Sequence, residues 1–262
     1  MIGAEQPPAH VADVAQRLDS AQRTRVAVPQ AEPSYDVATA YEIQQALIGR
    51  RESRGERVVG TKLGFTSRAK MAQMGVSDLI CGVLTDTMQI PSGATVNLSA
   101  FLHPRVEPEL AFLLRAPLPS TATATGLWQC VEAVAPALEV IDSRYEAFRF
   151  SLADVIADNT SASGFVLGEW QAMPAGGLGA LGVLLEIDGR AVQIGSTGGI
   201  LGDPLRALSE AGRLARLTGR ELRAGDVVLV GAATAAEPLV PGAHVRGIVQ
   251  DLGEVSLSVA AD

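Results

Sequence analysis

Pro104-Arg105-Val106-Glu107-Pro108-Glu109-Leu110-Ala111-Phe112 and, further along, Ala137-Leu138-Glu139-Val140-Ile141-Asp142-Ser143-Arg144-Tyr145 are the stretches on which the reading of this chain turns. Side chains alternate between the faces of a β-strand, so a strand over 106–114 projects Glu107 and Glu109 from one face. Two like charges that close repel and raise each other's pKa unless they meet water or a cation. Glu139 is a third acid, set among the apolar Leu138, Val140 and Ile141, which points to a mostly buried strand. Three hard oxygen donors with no His or Cys beside them suit Mg²⁺ or Mn²⁺ better than Zn²⁺. Spacing alone leaves a second reading open, a solvated strand face with an unrelated Glu139, because acids at i and i+2 are common.

The surroundings bound the function class. The chain has 262 residues, enough for one large domain or a large domain with an appendage. It is 47% hydrophobic but only 4% aromatic, so the core is built from Ala, Val and Leu. A net charge of −8 and the lack of a basic stripe with interleaved aromatics argue against nucleic acid. The densest basic run, Arg50, Arg51, Arg54 and Arg57, alternates with Glu52 and Glu56 and reads as a solvated helix face. Cys81 and Cys130 share no metal-ligand spacing and make no disulfide framework. With no signal-like N-terminus and no apolar run of bilayer length, the expected setting is cytoplasmic, away from any membrane.

In chain order, helices are expected over 10–24, with Val11, Val14, Ala15 and Leu18 inward, and over 37–54, with Ala38, Tyr41, Ile43, Leu47 and Ile48 inward. These form a small N-terminal helical region, 1–57. The texture changes at Val58, where 58–65 reads as a strand with two glycines, capped by Thr66 or Ser67 before a short helix over 68–74. Lys62 stands out in that strand. Burial there lowers a lysine's pKa, which suits proton transfer or anion binding, although a snorkelling lysine is equally physical. Asp78 and Asp86 read as turn or cap residues, and His103, just ahead of Pro104, as a capping or surface residue rather than a ligand.

After a loop over 117–125, a short helix over 126–133 leads through Pro136 into the Glu139 strand. Ser151 opens a helix to Ala157, and the polar run 158–163 either hydrogen-bonds a carboxylate or shapes a turn. Asp188-Gly189 signals a hairpin. The glycine-rich run 195–202 lacks both the P-loop ending and the dinucleotide fingerprint, which excludes nucleotide binding on that basis. Asp203-Pro204 starts a helix to about Leu217, and 227–230, 245–248 and 255–259 supply closing strands. The expected fold is α+β, with strands and peripheral helices over 58–262.

Taken together, Gly60-Thr-Lys62-Leu-Gly64-Phe-Thr-Ser, His103-Pro-Arg-Val-Glu107-Pro-Glu109, Pro136-Ala-Leu-Glu139-Val-Ile-Asp142-Ser-Arg144, Ala157-Asp-Asn159 and Leu201-Gly202 resemble the fumarylacetoacetate hydrolase superfamily. The likeness is to its branch of 4-oxalocrotonate decarboxylases and 2-oxopent-4-enoate hydratases. It runs from Tyr41 to the C-terminal strand and implies a fumarylacetoacetase-like fold, a mixed, strongly curved β-roll with peripheral helices as the catalytic domain over 58–262. By motif match it implies Glu107, Glu109 and Glu139 as ligands to Mg²⁺ or Mn²⁺, Lys62 beside a bound 2-oxo acid, and Ser161 near the substrate. Asp203 departs from the pattern, where many relatives have His, and reads as a helix cap. The segments 66–75, 141–150 and 231–236, the last containing Thr234 as a further substrate-binding candidate, look more like the decarboxylases.

The implied reaction converts 2-oxohex-3-enedioate to 2-hydroxypenta-2,4-dienoate and CO₂ through a metal-stabilised dienolate, in meta-cleavage catabolism of aromatics. The implied partners are further copies of the chain and a paralogous hydratase. Two alternatives stand beside it: a hydratase that adds water to 2-hydroxypenta-2,4-dienoate, and a non-catalytic assembly partner of such an enzyme.

Overall fold

The computed structural model describes residues 9–30, 35–67, 71, 78–119 and 124–261. Of the helix expected over 68–74, only Met71 lies within the described residues, and it is helical. The long strand β5, Arg105–Leu114, is the axis of the molecule, and it pairs along its whole length with the antiparallel β6, Val131–Ile141. On its other side β5 meets β10, Val227–Ala232, and then the short β11, Glu237–Pro238. Outward from β10 come β1, Val58–Gly64, and β2, Ile80–Thr85. Outward from β6 come β7, Ala162–Leu167, and β3, Gln89–Ile90. These eight strands form one curled sheet. A second sheet of five joins β4, Thr95–Val96, β13, Gly253–Val259, β12, His244–Val249, β8, Gly182–Ile187, and β9, Arg190–Ser196.

Alternation sorts the apolar residues into three clusters. Even-numbered residues of β5 and β6 such as Leu110, Phe112 and Val134 face a large core shared with the helices. Val106, Leu138 and Val140 pack against Val245 and Leu257 of the second sheet. The concave face carries smaller residues, Ala111 and Ala137, with Leu229 and Phe165. That change of size leaves room on the concave side for something other than core.

The helices cover one side of the roll. α1, Ala9–Thr24, and α2, Val37–Glu52, bury Val11, Ala15, Leu18, Tyr41, Ile43 and Leu47 in the same cluster as Phe112. Ala38 is exposed, and Ala40 takes the inward place expected of it. The helix expected over 126–133 is shifted. α3 runs Ala124–Cys130, and Val131 already opens β6, because its β-branched side chain is buried in the sheet ladder. α4, Leu152–Ala157, starts at Ser151 with a capping box closed by Asp154. α5, Pro204–Leu217, starts at Asp203, whose side chain accepts from the Leu205 amide at 2.9 Å, as the Asp-Pro signal predicts. The Asp188-Gly189 hairpin joins β8 and β9, both turn residues having positive φ. Both cysteines are buried and free, and no described helix is long and apolar enough to cross a membrane.

The arginine run is not a free solvated face. Arg54 grips Asp19 of α1 through two bonds of 2.9 and 2.7 Å, Arg51 pairs with Glu56 at 2.9 Å, and Arg57 pairs with Asp86 at 2.9 Å. These bonds tie the helical layer together and fasten it to the edge of the large sheet.

A buried ion pair closes the turn after β6. Arg144 bonds Asp158 through both its guanidinium and its backbone amide, and also reaches the carbonyls of Asp142 and Ala162. Burial lifts the Asp158 carboxyl to about 6 even with Arg144 beside it. The next residue, Asn159, locks both backbone groups of Val83 at 2.7 and 2.9 Å. Between them these contacts hold Asn159, Thr160 and Ser161 in three consecutive left-handed conformations, φ 51°, 53° and 58°. Removing one partner of a buried pair costs about 3–5 kcal/mol because the other charge stays behind. Asp158→Ala is therefore expected to lower unfolding free energy by that amount in urea denaturation, and a loss below about 1 kcal/mol would contradict the bracing role given to this pair.

Candidate metal centre

The sheet register assembles the acids. Glu107 stands directly opposite Glu139 in the β5–β6 ladder, and Glu109 follows two residues on, opposite Ala137. Directly opposed residues share a face, so all three carboxylates project to the concave side. Each offers an oxygen within 4.8 Å of the others. His103 is outside this group. Its ring lies against Phe148 with centroids 4.7 Å apart, and its amide, with that of Leu102, is held by the Asp142 carboxylate at 2.8 Å. Asp78 pairs with Arg213, and Asp86 with Arg57, so neither enters the centre.

Lys62 reaches the same place from β1. It pairs in register with Leu229, and Leu229 pairs with Ala111, two residues from Glu109 on the same face. Its Nζ lies 2.9 Å from Glu139 Oε1. β1 runs close to β10 at Gly60, where a Cβ would lie 1.9 Å from the Val227 carbonyl oxygen.

Electrostatics in this face run against the expectation for Lys62. Burial alone lowers its pKa, but Glu139, Glu109 and Glu107 outweigh burial, and the ammonium is held above its ordinary value. The acids respond in the opposite sense to free carboxylates. Burial first, then the charges of Glu139 and Glu107, push Glu109 well above the usual carboxylate range. Burial also raises Glu139, against the pull of Lys62.

The oxygens left over identify what this arrangement lacks. Glu109 Oε2 accepts from the Gly231 amide at 2.9 Å, but Glu109 Oε1 is buried with no hydrogen-bond partner among the described residues, and so is Glu139 Oε2. Buried carboxylate oxygens without donors are expensive, and a hard divalent cation satisfies them. The donor set therefore fits Mg²⁺ or Mn²⁺, with Glu107, Glu109 and Glu139 as its carboxylates.

A cavity of about 270 Å³ opens in front of this centre. Gly64, Phe65, Thr66 and Ser67 form one wall, Ala232–Ala235 with Gly199 the other, and Glu107 is at its base. Glu107 is 6% exposed whereas Glu109, Glu139 and Lys62 are 1%, 0% and 3%, so one acid faces the cavity and the rest lie behind it. Thr234, the further substrate-binding candidate, lines this cavity. Ser161 does not line it. Its hydroxyl is buried without a hydrogen-bond partner among the described residues, whereas the neighbouring Thr160 sets its methyl against Gly64 of the cavity wall. Thr160 also has a buried hydroxyl with no partner among the described residues, a feature that the sequence signals only as one member of a small polar run.

Gly231, which the sequence marks only as the first residue of the segment 231–236, sets the geometry. The β10–β5 register shifts between Leu229 and Ala232, and Gly231 in that bulge has φ +100° and turns its amide to Glu109. A Cβ there would lie 1.9 Å from Thr66 Oγ1. Gly231→Ala is expected to displace Thr66 and the amide together and to weaken Mg²⁺ binding at least about tenfold, from backbone strain of about 1–3 kcal/mol. Calorimetric Mg²⁺ titration of a variant with unchanged circular dichroism checks this, and unaltered affinity would remove Gly231 from the centre.

A family profile described as fumarylacetoacetate (FAA) hydrolase, C-terminal, matches residues 57–260. A 4-oxalocrotonate decarboxylase from Pseudomonas sp. is 51% identical over 254 residues, 96% of this chain and 99% of that protein. A 2-keto-4-pentenoate hydratase from Paraburkholderia xenovorans (strain LB400) is 36% identical over 222 residues, 82% of each chain. Among solved structures, 4-oxalocrotonate decarboxylase from Pseudomonas putida G7, complexed with magnesium and adipate, superposes with a TM-score of 0.92 at 34% identity, covering 98% of this chain and 100% of that one.

Proposed function

Because the chain belongs to the fumarylacetoacetate hydrolase family, we infer that it is a carbon–carbon lyase, a decarboxylase of 2-oxohex-3-enedioate that requires a divalent metal. The observation that carries this reading is the buried trio Glu107, Glu109 and Glu139 with Lys62 against it at the base of a cavity, in a chain 51% identical to a decarboxylase of that substrate. Hydratases resemble the chain less, at 36% identity for the one described above, and water addition is the second reading.

Loss of the distal carboxylate as CO₂ sends the electron pair of the broken bond along the conjugated chain to the C2 oxygen, where negative charge appears. A divalent ion held by Glu107, Glu109 and Glu139 supplies Lewis-acid stabilisation of that charge. Lys62, buried on the same face, brings N–H donors to the same region and is fixed by Glu139 at 2.9 Å. We assign it to binding or protonating the oxygen on which charge develops. The wall from Ala232 to Ala235 presents small side chains and includes Thr234, which leaves room for the substrate and one polar residue to meet it. Ser161 remains a substrate contact in this reading only through the turn that also carries Thr160. Manganese as an alternative ion, a homo-oligomer, a complex with a paralogous hydratase and a cytoplasmic setting in aromatic catabolism belong to the same proposal.

Glu107→Gln keeps the shape of the side chain and removes a charge. Its expected effect is a loss of kcat of about 10²–10³ or more with the fold intact, measured by CO₂ release, and full activity would sink the metal-centre reading. Chelation of divalent ions is expected to abolish turnover, with Mg²⁺ restoring it. Lys62→Met is expected to lower kcat by about 10²–10⁴ while Mg²⁺ still binds. With purified protein and Mg²⁺, 2-oxohex-3-enedioate should release CO₂ and 2-hydroxypenta-2,4-dienoate should persist, and hydration of the latter without CO₂ from the former would favour the hydratase reading.

A further inference from the structure

A second cavity, of about 570 Å³, lies between the N-terminal helices and the segment 87–101, and no residue lines both it and the cavity in front of the metal centre. Its size falls in the range of small-molecule sites. Its floor is apolar, with Leu18, Leu47, Ile48 and Met88 buried and Phe101 half-buried. Five arginines border it: Arg23, Arg25, Arg51, Arg54 and Arg144.

The ion pairs do not use these cations up. Asp19 is bonded by Arg54, Glu56 by Arg51 and Asp158 by Arg144. Arg23 and Arg25 have no carboxylate partner among the described residues, and Arg25 reaches only the Ser99 carbonyl, at 3.4 Å. Arg51 bonds Glu56 through Nε alone, so both of its Nη groups are left without a described partner. Arg25 is in a left-handed conformation, φ 59°, just past the last residue of α1, where the helix ends beside the cavity. In a protein of net charge −8, this is a local excess of guanidinium over an apolar floor.

We propose that this cavity is a binding site for a small organic carboxylate with an apolar body, its hydrocarbon on the Leu18, Leu47 and Met88 floor and its carboxylate at Arg23, Arg25 and the free edge of Arg51. Guanidinium groups present paired N–H donors that match a carboxylate. The apolar floor selects for the body, and an anion with no hydrocarbon leaves that floor unfilled. The site is independent of the metal centre, since none of its residues is a candidate metal ligand.

The test is calorimetric titration of the Mg²⁺-loaded full chain with hexanoate, alongside hexanol, which has the body without the charge, and inorganic phosphate, which has the charge without the body. Two variants divide the contributions. Arg23→Gln with Arg25→Gln removes the unpaired cations at exposed positions, and Ala100→Trp fills the cavity from an exposed position without changing charge. Hexanoate is expected to bind wild type at least ten times more tightly than either control and to lose at least tenfold in both variants, while Mg²⁺ affinity is unchanged. Hexanoate that fails to bind, that binds both variants as tightly as wild type, or that phosphate equals would overturn the proposal. So would a wild-type oligomer that the Arg25 and Ala100 changes dissociate in sedimentation, because the cavity would then be covered by a second copy of the chain.

Discussion

Three carboxylates and an ammonium share one dry face of a curled sheet, and the rest of the molecule is arranged to make that tolerable. Like charges at such distances cannot all ionise without compensation. Lys62 supplies part of it, through its contact with Glu139, and the Gly231 amide supplies another part at Glu109. The remaining oxygens call for a cation, so the fold of the apoprotein carries an unresolved charge that metal binding removes. Binding of that ion and stability of the concave face are thus coupled, as expected wherever ligands are prearranged at an energetic cost.

The scaffold meets that cost with rigid, short-range devices. Small side chains on the concave face, Ala111 and Ala137, leave space beside the acids, while the opposite faces of the same strands carry Phe112, Leu110 and Leu138 into well-filled clusters. Asp142 fastens the two amides that precede β5 and so fixes where the strand begins. The turn at the far end of β6 is held by Arg144, Asp158 and Asn159. The two strands that bear the ligands are therefore anchored at the ends where their chains change direction.

Much of the centre was legible in the sequence because it depends on alternation. Glu107 and Glu109 share a face in any strand, and Glu139 lies in an unmistakably buried run. The hairpin at Asp188-Gly189 and the cap at Asp203 were legible for a similar reason, since their signals are local. What alternation does not encode is register between distant strands. The bulge that aims the Gly231 amide at Glu109 exists only once β10 lies against β5, and the sequence around it is a bland run of small residues. Arg50 on α2 and Arg54 just past it read as solvated because their partner Asp19 lies in another helix. Lys62 was misjudged for the same reason: burial is visible in the sequence, but the net effect depends on three acids contributed by other strands. Ser161 is off the cavity lining while Thr160 packs against Gly64, because three left-handed residues rotate the turn in a way no propensity predicts.

That turn also bears on how the enzyme can be altered. Asn159 borders the arginine-lined cavity while Thr160 abuts Gly64 of the metal-centre cavity, so one short strained segment is a party wall between the two. Such a wall has little mutational freedom, since a residue chosen to suit one side must also satisfy the other and accept an unusual backbone. The opposite wall, Ala232–Ala235, is free of that double duty. Diversification of substrate range, by natural drift or by directed evolution, should therefore accumulate on the alanine wall and leave the turn nearly fixed.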